Sequence, residues 1–323
     1  MSALVSAVDY HTAGEPFRIV TGGVEALRGD TILAKRRDAA ERLDHVRRLL
    51  VNEPRGHADM YGCHVVEPEP GGDLGVVFFH NAGYSTACGH GTIALATAAL
   101  ELGMVPAREP VTELLLDVPS GRLPVRVEVE GGRPGRVSFV NVPSYVEADG
   151  LAVEGVEADV AFGGAFYASV RSPVPVEPAS VPELIGLGRR VKRALEAERE
   201  WAHPLEPELR DIYGVIFWQE EDATFTQRNV TIFADGEVDR SPCGSGTSAR
   251  LALLDARAEL PRGETLRHLS VIGSEFEARV VGEAEVAGRQ AVLTEIAGRA
   301  HLTGYHQFVL AEEDELGTGF LLR

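Results

Sequence analysis

The chain has 323 residues, a formal charge of −18 at pH 7 and a mean hydropathy of −0.04. This charge argues against nucleic acid and anionic membrane surfaces as partners, because both are negative themselves. No apolar run approaches the ~18 residues that cross a bilayer, and the first fifteen residues lack the basic start of a signal peptide. With only three cysteines, the sequence predicts reduced thiols and a cytoplasmic location.

The pattern of apolar residues predicts many strands and a few helices, in irregular alternation. We expect an amphipathic helix over Asp38–Leu50, a strand over Leu74–Phe79, and a helix over Thr92–Leu102 that ends at Gly103. Strict alternation over Gly121–Gly132 is typical of a half-buried strand. Further strands are predicted at Arg136–Val142 and Asn229–Ala234, and further helices at Pro182–Glu200 and Ser248–Leu260.

Two stretches share one local pattern: TACGHGT around Cys88 and SPCGSGT around Cys243. In both, a β-rich run and a turn lead to Cys-Gly-x-Gly-Thr, and a helix follows. This repetition predicts an α/β (α+β) fold of two similar subdomains that face each other across a cleft. We place the Cys88 half at residues 1–125 with 300–323, and the Cys243 half at 126–299.

A Gly-x-Gly turn that opens a helix presents backbone N–H groups and the positive end of the helix dipole. Such a turn can bind a carboxylate or a phosphate, and its field should also lower the pKa of an adjacent thiol. Two facing turns would hold one carboxylate and place a thiol on each face of the neighbouring carbon. The pattern therefore predicts inversion at a carbon α to a carboxylate, with one thiol as base and the other as acid.

Other roles for the cysteines are open at this point. A disulfide between Cys88 and Cys243 is disfavoured by a reducing compartment. Zinc binding by Cys63, His64, Cys88 and His90 is disfavoured because their spacing is unlike that of structural zinc pairs. Cys63 lies in a predicted strand and is typical of an inert, buried cysteine. A non-catalytic amino-acid-binding protein would follow if the two Gly-framed thiols lay apart.

Six motifs spread over nearly the whole chain resemble the proline racemase family, whose enzymes act on proline or hydroxyproline without a cofactor. The resemblance implies a two-domain α/β fold similar to diaminopimelate epimerase, with the active site between the halves and a homodimer as the usual assembly. It implies a small-molecule substrate, and neither a metal ion nor another cofactor. The motifs are DYHTAGEP (Asp9–Pro16), EPRGHADMYG (Glu53–Gly62), GYSTACGHGT (Gly83–Thr92), FGGAFYA (Phe162–Ala168), DRSPCGSGTSA (Asp239–Ala249) and SVIGSEFEAR (Ser270–Arg279).

The resemblance also implies roles for single residues. Cys88 and Cys243 would be the acid/base pair, and the side chains of His90 and Asp239 would tune the thiols or contact the substrate amine. Four backbone N–H groups would hold the substrate carboxylate, and two aromatic rings would line the pocket for the ring. The residues are Gly89, His90, Gly244 and Ser245 for the carboxylate, and Tyr61 and Phe233 for the ring. Thr247 is expected to cap the helix that follows it.

The family also contains dehydratases of trans-3-hydroxy-L-proline, which generally carry Thr at the position of the second cysteine. Elimination needs one base and a group near the leaving hydroxyl, so Cys243 favours inversion of proline or a hydroxyproline. The segments GYST, MYG and NVTIFADGEVDRSP resemble the dehydratase branch, so dehydration stays open as the alternative. Aromatic walls at Tyr61 and Phe233 suit an unsubstituted or 3-substituted ring better than a 4-hydroxylated one.

Overall fold

The computed structural model describes residues 3–322, and strands account for most of its regular structure. The strands are β1 (Ala3–Thr12), β2 (Glu15–Gly22), β3 (Tyr61–Val66), β4 (Leu74–His80), β5 (Gly83–Tyr84), β6 (Val111–Val118), β7 (Gly121–Glu130), β8 (Arg133–Val140), β9 (Tyr145–Val153), β10 (Val156–Phe162), β11 (Phe166–Arg171), β12 (Ile212–Glu220), β13 (Thr226–Phe233), β14 (Glu237–Asp239), β15 (Leu266–Ser270), β16 (Glu275–Val286), β17 (Arg289–Gly298) and β18 (Ala300–Leu310). The helices are α1 (Ile32–Arg42), α2 (Asp44–Val51), α3 (Gly89–Glu101), α4 (Val181–Glu198) and α5 (Gly244–Ala256), with a 3-10 turn at Pro178–Ser180.

The first of two compact units comprises the chain up to Val137 and the C-terminal segment from Arg299 onward. Its sheet has the order β18-β1-β2-β3-β4-β6-β7. The pairs β2/β3 and β4/β6 are parallel and the others antiparallel. Parallel neighbours require a crossover connection, and the helices supply it: α1 and α2 between β2 and β3, and α3 between β4 and β6.

The second unit comprises Ser138–Gly298. Its sheet has the order β9-β10-β11-β12-β13-β15-β16-β17, with β11/β12 and β13/β15 parallel and α4 and α5 as their crossovers. The short strands β5 and β14 each pair with the strand before the central helix. The succession from β10 to β16 therefore repeats that from β1 to β7, as the two cysteine motifs predict. The domain division at residues 125 and 300 stays a prediction.

Helices α3 and α5 are buried on all sides, from Gly89 to Leu100 and from Gly244 to Leu254. Their small apolar sequences suit this position, because a helix that is apolar all round belongs in a core. Both begin three to four residues before the predicted starts at Thr92 and Ser248. Glycine has low helix propensity, so the sequence pattern does not predict the first turn of either helix. The N-cap residues of the two helices are Cys88 and Cys243.

The other helices correct one expectation and confirm another. The predicted helix at Asp38–Leu50 is two helices, α1 and α2, separated at Leu43, whose φ of −118° and ψ of 17° are not helical. Helix α4 matches the predicted helix at Pro182–Glu200. Its buried face consists of Leu184, Leu187, Gly188, Val191 and Leu195. Within residues 3–322, none of the helices has the length and apolar character needed to cross a membrane.

Candidate active site

Cys88 is the N-cap residue of α3 and lies directly after the β4–β5 hairpin. Its sulfur accepts a hydrogen bond from the backbone N–H of Gly91 at 3.3 Å, and its carbonyl accepts one from the Thr92 hydroxyl at 2.9 Å. The Cys88 backbone is extended, with φ of −155°. The side chain is buried. The predicted combination of a thiol and the first turn of a helix is therefore present in the first unit.

The His90 ring lies beside the Cys88 sulfur, with Nε2 at 3.4 Å and Nδ1 at 3.7 Å. Burial lowers the pKa of this histidine to about 3, so the ring is neutral at physiological pH. A neutral ring can accept a hydrogen bond from the thiol or donate one to the thiolate. His90 is thus in contact with the thiol that the family resemblance implies it tunes.

Tyr61 reaches the same neighbourhood from β3. Its ring meets the His90 ring edge-on at a centroid distance of 4.9 Å, and Phe17 meets His90 in the same way at 5.6 Å. The Tyr61 hydroxyl donates to the hydroxyl of Ser85. The aromatic side chain expected to line the substrate pocket therefore packs around the histidine that contacts Cys88.

The second glycine of each Cys-Gly-x-Gly motif has a steric reason. A Cβ atom on Gly91 would lie 2.7 Å from the Cys88 sulfur and 2.5 Å from Cε2 of Phe17. A Cβ atom on Gly246 would lie 2.9 Å from the Cys243 sulfur and 2.8 Å from Cδ1 of Ile216. Only glycine lets the sulfur fold back over the first helical turn.

Cys243 is the N-cap residue of α5, but its backbone differs from that of Cys88. Its φ of 63° and ψ of 97° lie in a region that residues other than glycine rarely adopt. Buried hydrogen bonds to both polar groups of the preceding peptide hold it there. The Cys243 N–H donates to the Ser241 hydroxyl at 3.1 Å, and the Pro242 carbonyl accepts from Asn229 Nδ2 at 3.0 Å and from the Thr247 hydroxyl at 3.1 Å.

Thr247 does not cap α5, contrary to the expectation from the sequence. Its hydroxyl bonds back to the Pro242 carbonyl, and it lies 2.7 Å from Nδ1 of His268. Burial, reinforced by the charge of Arg250, lowers the pKa of His268 to about 3, so this ring is also neutral. Thr247 and His268 thus fix the peptide that precedes the second cysteine.

Asp239 lies at the end of β14, buried below the Cys243 loop. Its Oδ1 accepts hydrogen bonds from the Ser241 N–H at 2.8 Å and the Ser241 hydroxyl at 2.7 Å. Burial raises the pKa of the Asp239 carboxyl above its ordinary value, and the Ser241 hydrogen bonds oppose this. Asp239 is thus linked to Cys243 through Ser241.

Burial and then the charge of Asp239 raise the pKa of the Cys243 thiol. The Gly246 N–H and the hydroxyls of Thr231 and Tyr167 act in the opposite direction. The helix start was expected to lower this pKa, but the net shift is upward, so the expectation is wrong for Cys243. Cys243 is a protonated thiol at neutral pH.

This arrangement predicts the effect of Asp239→Asn on Cys243. Removing the carboxylate charge should lower the pKa of the thiol and speed its alkylation at mildly alkaline pH. Each unit of pKa corresponds to about tenfold more thiolate. Peptide mass spectrometry of iodoacetamide-treated protein measures the rate at Cys243 separately from Cys88. Asp235→Asn, which changes an exposed carboxylate in the same hairpin, is the matched control; equal rates in the two variants would contradict the prediction.

Phe233, predicted to line the substrate pocket, lies at the end of β13 and is buried. Its ring stacks on that of Tyr213 at a centroid distance of 5.6 Å, and Tyr213 meets Tyr167 edge-on at 5.7 Å. The Tyr167 hydroxyl lies 3.8 Å from the Cys243 sulfur and 2.7 Å from the Ser245 hydroxyl. A continuous set of aromatic rings therefore connects Phe233 to the second thiol.

The four residues expected to hold a carboxylate occupy the first two positions of α3 and α5. They are Gly89 and His90 in the first unit, and Gly244 and Ser245 in the second. The N–H groups of a first helical turn have no acceptor within the helix itself.

The FGG motif packs closely against α5, since a Cβ atom on Gly163 would lie 2.3 Å from the Ser245 carbonyl oxygen.

Sequence reasoning did not single out Tyr167, Thr231, Ser241 or His268. The FGGAFYA motif contains Tyr167, and SVIGSEFEAR begins at the last residue of β15, the strand that carries His268. These motifs signal important positions, but the contacts with Cys243 depend on the folded strands. The remaining cysteine, Cys63, is fully buried in β3, where burial raises the pKa of its thiol.

None of the three cysteines forms a disulfide. Within residues 3–322, no three side chains of His, Cys, Asp or Glu are grouped so that they could hold a metal ion. The absence of a cofactor stays a prediction, as does the catalytic role of each residue described above.

Comparisons with known proteins place the chain in a family. Residues 7–321 match the family model described as proline racemase. The 3-hydroxyproline 2-epimerase of Burkholderia multivorans is 45% identical, over 100% of this chain and 99% of its own length. The trans-3-hydroxy-L-proline dehydratase of Burkholderia ambifaria is also 45% identical, with the same coverage. A crystal structure of a hydroxyproline epimerase from Agrobacterium vitis with bound trans-4-hydroxy-L-proline has a TM-score of 0.93 and 31% identity, over 99% of this chain and 96% of that one.

The chain belongs to the proline racemase family. The family predicted from the six motifs and the mixed α/β fold class are both confirmed. The predicted enzyme class, an isomerase of the racemase and epimerase type, is supported by the same matches.

Proposed function

We propose that the chain is a 2-epimerase that inverts the α-carbon of a hydroxyproline or of proline, with Cys88 and Cys243 as its acid/base pair. One observation carries the proposal: both cysteines are buried N-cap residues of the central helix in units that share one strand order. Three residues after each cysteine, a glycine leaves room for its sulfur. A reaction with a base on one face of a carbon and an acid on the other calls for such a matched pair.

The proposed reaction uses one thiolate and one thiol. The thiolate removes the α-proton of the substrate, and the resulting charge spreads onto the carboxylate oxygens. The backbone N–H groups of Gly89, His90, Gly244 and Ser245 would stabilise that charge. The second thiol then donates its proton to the opposite face of the carbon. The enzyme finishes with the protonation states of the two cysteines exchanged, and proton exchange with solvent restores them.

The two cysteines differ in their surroundings, and this suggests which one starts as the acid. Burial and Asp239 keep Cys243 in its thiol form. The Cys88 sulfur accepts the N–H of Gly91, as Cys243 does that of Gly246, and it lies beside the neutral His90 ring, which can donate a hydrogen bond to a thiolate. We therefore assign Cys88 as the base and Cys243 as the acid in the first turnover.

Among the possible substrates we favour a hydroxyproline with its hydroxyl on carbon 3. The epimerase of Burkholderia multivorans is named for such a substrate and is 45% identical to this chain. Aromatic rings at Tyr61 and Phe233 suit a ring without a substituent on carbon 4. The alternative is dehydration of trans-3-hydroxy-L-proline, which an equally similar relative is named for. Cys243 argues against it, because elimination does not need a second thiol.

An assay of reduced enzyme in deuterated water tests this function. We expect trans-3-hydroxy-L-proline to incorporate deuterium at the α-carbon and to yield its 2-epimer, as followed by proton NMR and polarimetry. Formation of a cyclic imine instead would establish the dehydratase. L-Proline and trans-4-hydroxy-L-proline, tested in parallel, measure selectivity for the ring. If none of the three exchanges its α-proton, the proposal fails.

We also propose a homodimer in the cytoplasm, as the family resemblance and the reduced cysteines suggest. The chemistry depends on thiols, which stay reduced in that compartment. The proposed reaction draws only on cysteine side chains and backbone N–H groups, so it needs no cofactor.

A further inference from the structure

The Tyr167 hydroxyl lies between the Cys243 sulfur and the Ser245 hydroxyl. It is 3.8 Å from the sulfur and 2.7 Å from the Ser245 oxygen. All three side chains are at least nine-tenths buried. Tyr167 comes from β11, 76 residues before Cys243 in the chain, so this contact depends on the tertiary fold.

Several contacts fix the position of the Tyr167 ring. Its strand pairs with β10 on one side and with β12 on the other, where Tyr167 lies opposite Gly214. The ring meets Tyr213 edge-on and packs in one apolar cluster with Ile216 and Cys243. Gly163, in the turn region before β11, lies against the first turn of α5. The phenol can therefore rotate its O–H bond, but its oxygen stays in place.

A phenol hydroxyl can accept one hydrogen bond while donating another. When Cys243 is a thiol, its S–H can donate to Tyr167, and Tyr167 can donate to Ser245. When Cys243 is a thiolate, Ser245 can donate to Tyr167, and Tyr167 can donate to the sulfur. Only rotation about C–O bonds separates the two patterns, and no proton leaves Tyr167 or Ser245.

We propose that Tyr167 takes part in the proposed epimerisation. Its hydroxyl hydrogen-bonds with the Cys243 sulfur in both the thiol and the thiolate form, and it connects that sulfur to the Ser245 hydroxyl. This inference rests on the proposed function of Cys243. Asp239, Thr231 and the Gly246 N–H also act on this thiol, but Asp239 favours the thiol, whereas Thr231 and Gly246 favour the thiolate. Tyr167 also lies within hydrogen-bond distance of the hydroxyl of Ser245, whose N–H is proposed to hold the substrate carboxylate.

Tyr167→Phe tests the proposal, because it removes the hydroxyl and keeps the ring. We expect alkylation of Cys243 to fall about three- to tenfold at mildly alkaline pH, which corresponds to a pKa higher by about half a unit to one unit. The rate at Cys88 should not change. In the inversion assay, kcat should fall about ten- to a hundredfold, while KM changes much less, because the lost hydrogen bond acts on the proton transfer.

Tyr145→Phe is the matched control. Tyr145 is as deeply buried as Tyr167 in the same unit, and its hydroxyl has no hydrogen-bond partner among residues 3–322. Loss of that hydroxyl should leave the pH dependence of alkylation unchanged. If the two variants give the same Cys243 profile, or if Tyr167→Phe slows both cysteines equally, the inference is wrong. Alkylation needs no substrate, so this result stands apart from the outcome of the substrate assay.

Discussion

Cys88→Ser and Cys243→Ser are each expected to lower inversion by about a thousandfold or more, whereas Cys63→Ala should leave it within about twofold. Serine preserves the shape of cysteine, but its hydroxyl is far too weak an acid to supply an anion at neutral pH. Cys63 is the matched control because it is also buried and lies in a strand of the first unit. Activity is measured by α-proton exchange and by appearance of the epimer, per mole of folded protein.

The two serine variants should also differ in a way that tests the assignment of base and acid. A variant without Cys243 keeps Cys88, so it should still exchange the α-proton of one of the two epimers slowly, without change of configuration. A variant without Cys88 should not exchange that proton. If either variant still inverted the α-carbon, the two-thiol mechanism would be contradicted.

Cys243→Thr separates the two candidate functions further. An epimerase should lose inversion in this variant, because threonine cannot serve as the second acid. A dehydratase should keep forming its cyclic imine, because the family's dehydratases generally carry Thr at this position. An enzyme that gave the imine both before and after the change would be a dehydratase despite its second cysteine.

The two helix starts that are proposed to carry the chemistry could be located from the sequence alone, and the reason is local. A cysteine followed by Gly-x-Gly-Thr determines a helix start within a few residues, so Cys88 and Cys243 could be found without a structure. The repeated order of strands also followed from those two motifs. The exact helix starts could not be predicted, because glycine has a low helix propensity and the first turn of each helix contains two glycines.

The surroundings of Cys243 could not be predicted, because they come from distant segments. Its left-handed backbone depends on Asn229 in β13 and, through Thr247, on His268 in β15. The net rise in its pKa depends on burial and on Asp239, whereas a helix start alone predicts a fall. Likewise, the break between α1 and α2 at Leu43 has no glycine or proline to signal it.

Gly246→Ala and Gly91→Ala are expected to lower inversion by about a hundredfold or more, since a small misplacement of reacting atoms has effects of that size. The new methyl group would lie 2.9 Å from the Cys243 sulfur in the first variant and 2.7 Å from the Cys88 sulfur in the second. Each sulfur must then move away from the position it holds over the helix start. Thiol alkylation rates, measured beside the activity, should change only at the cysteine next to the substituted glycine.

The direction of the stability change provides a second test of the same steric argument. Helix propensity alone predicts that alanine stabilises a helix by about 1 kcal/mol relative to glycine. Overpacking of a buried site costs about 1–3 kcal/mol, so we expect both variants to unfold at lower temperature. Gly186→Ala in α4 is the control, because its nearest neighbour would be Arg190 at 3.6 Å, and it should keep full activity with equal or higher stability. If Gly246→Ala behaved like Gly186→Ala, the Cys243 sulfur would not be held against this turn, and the second glycine of the motif would need another explanation.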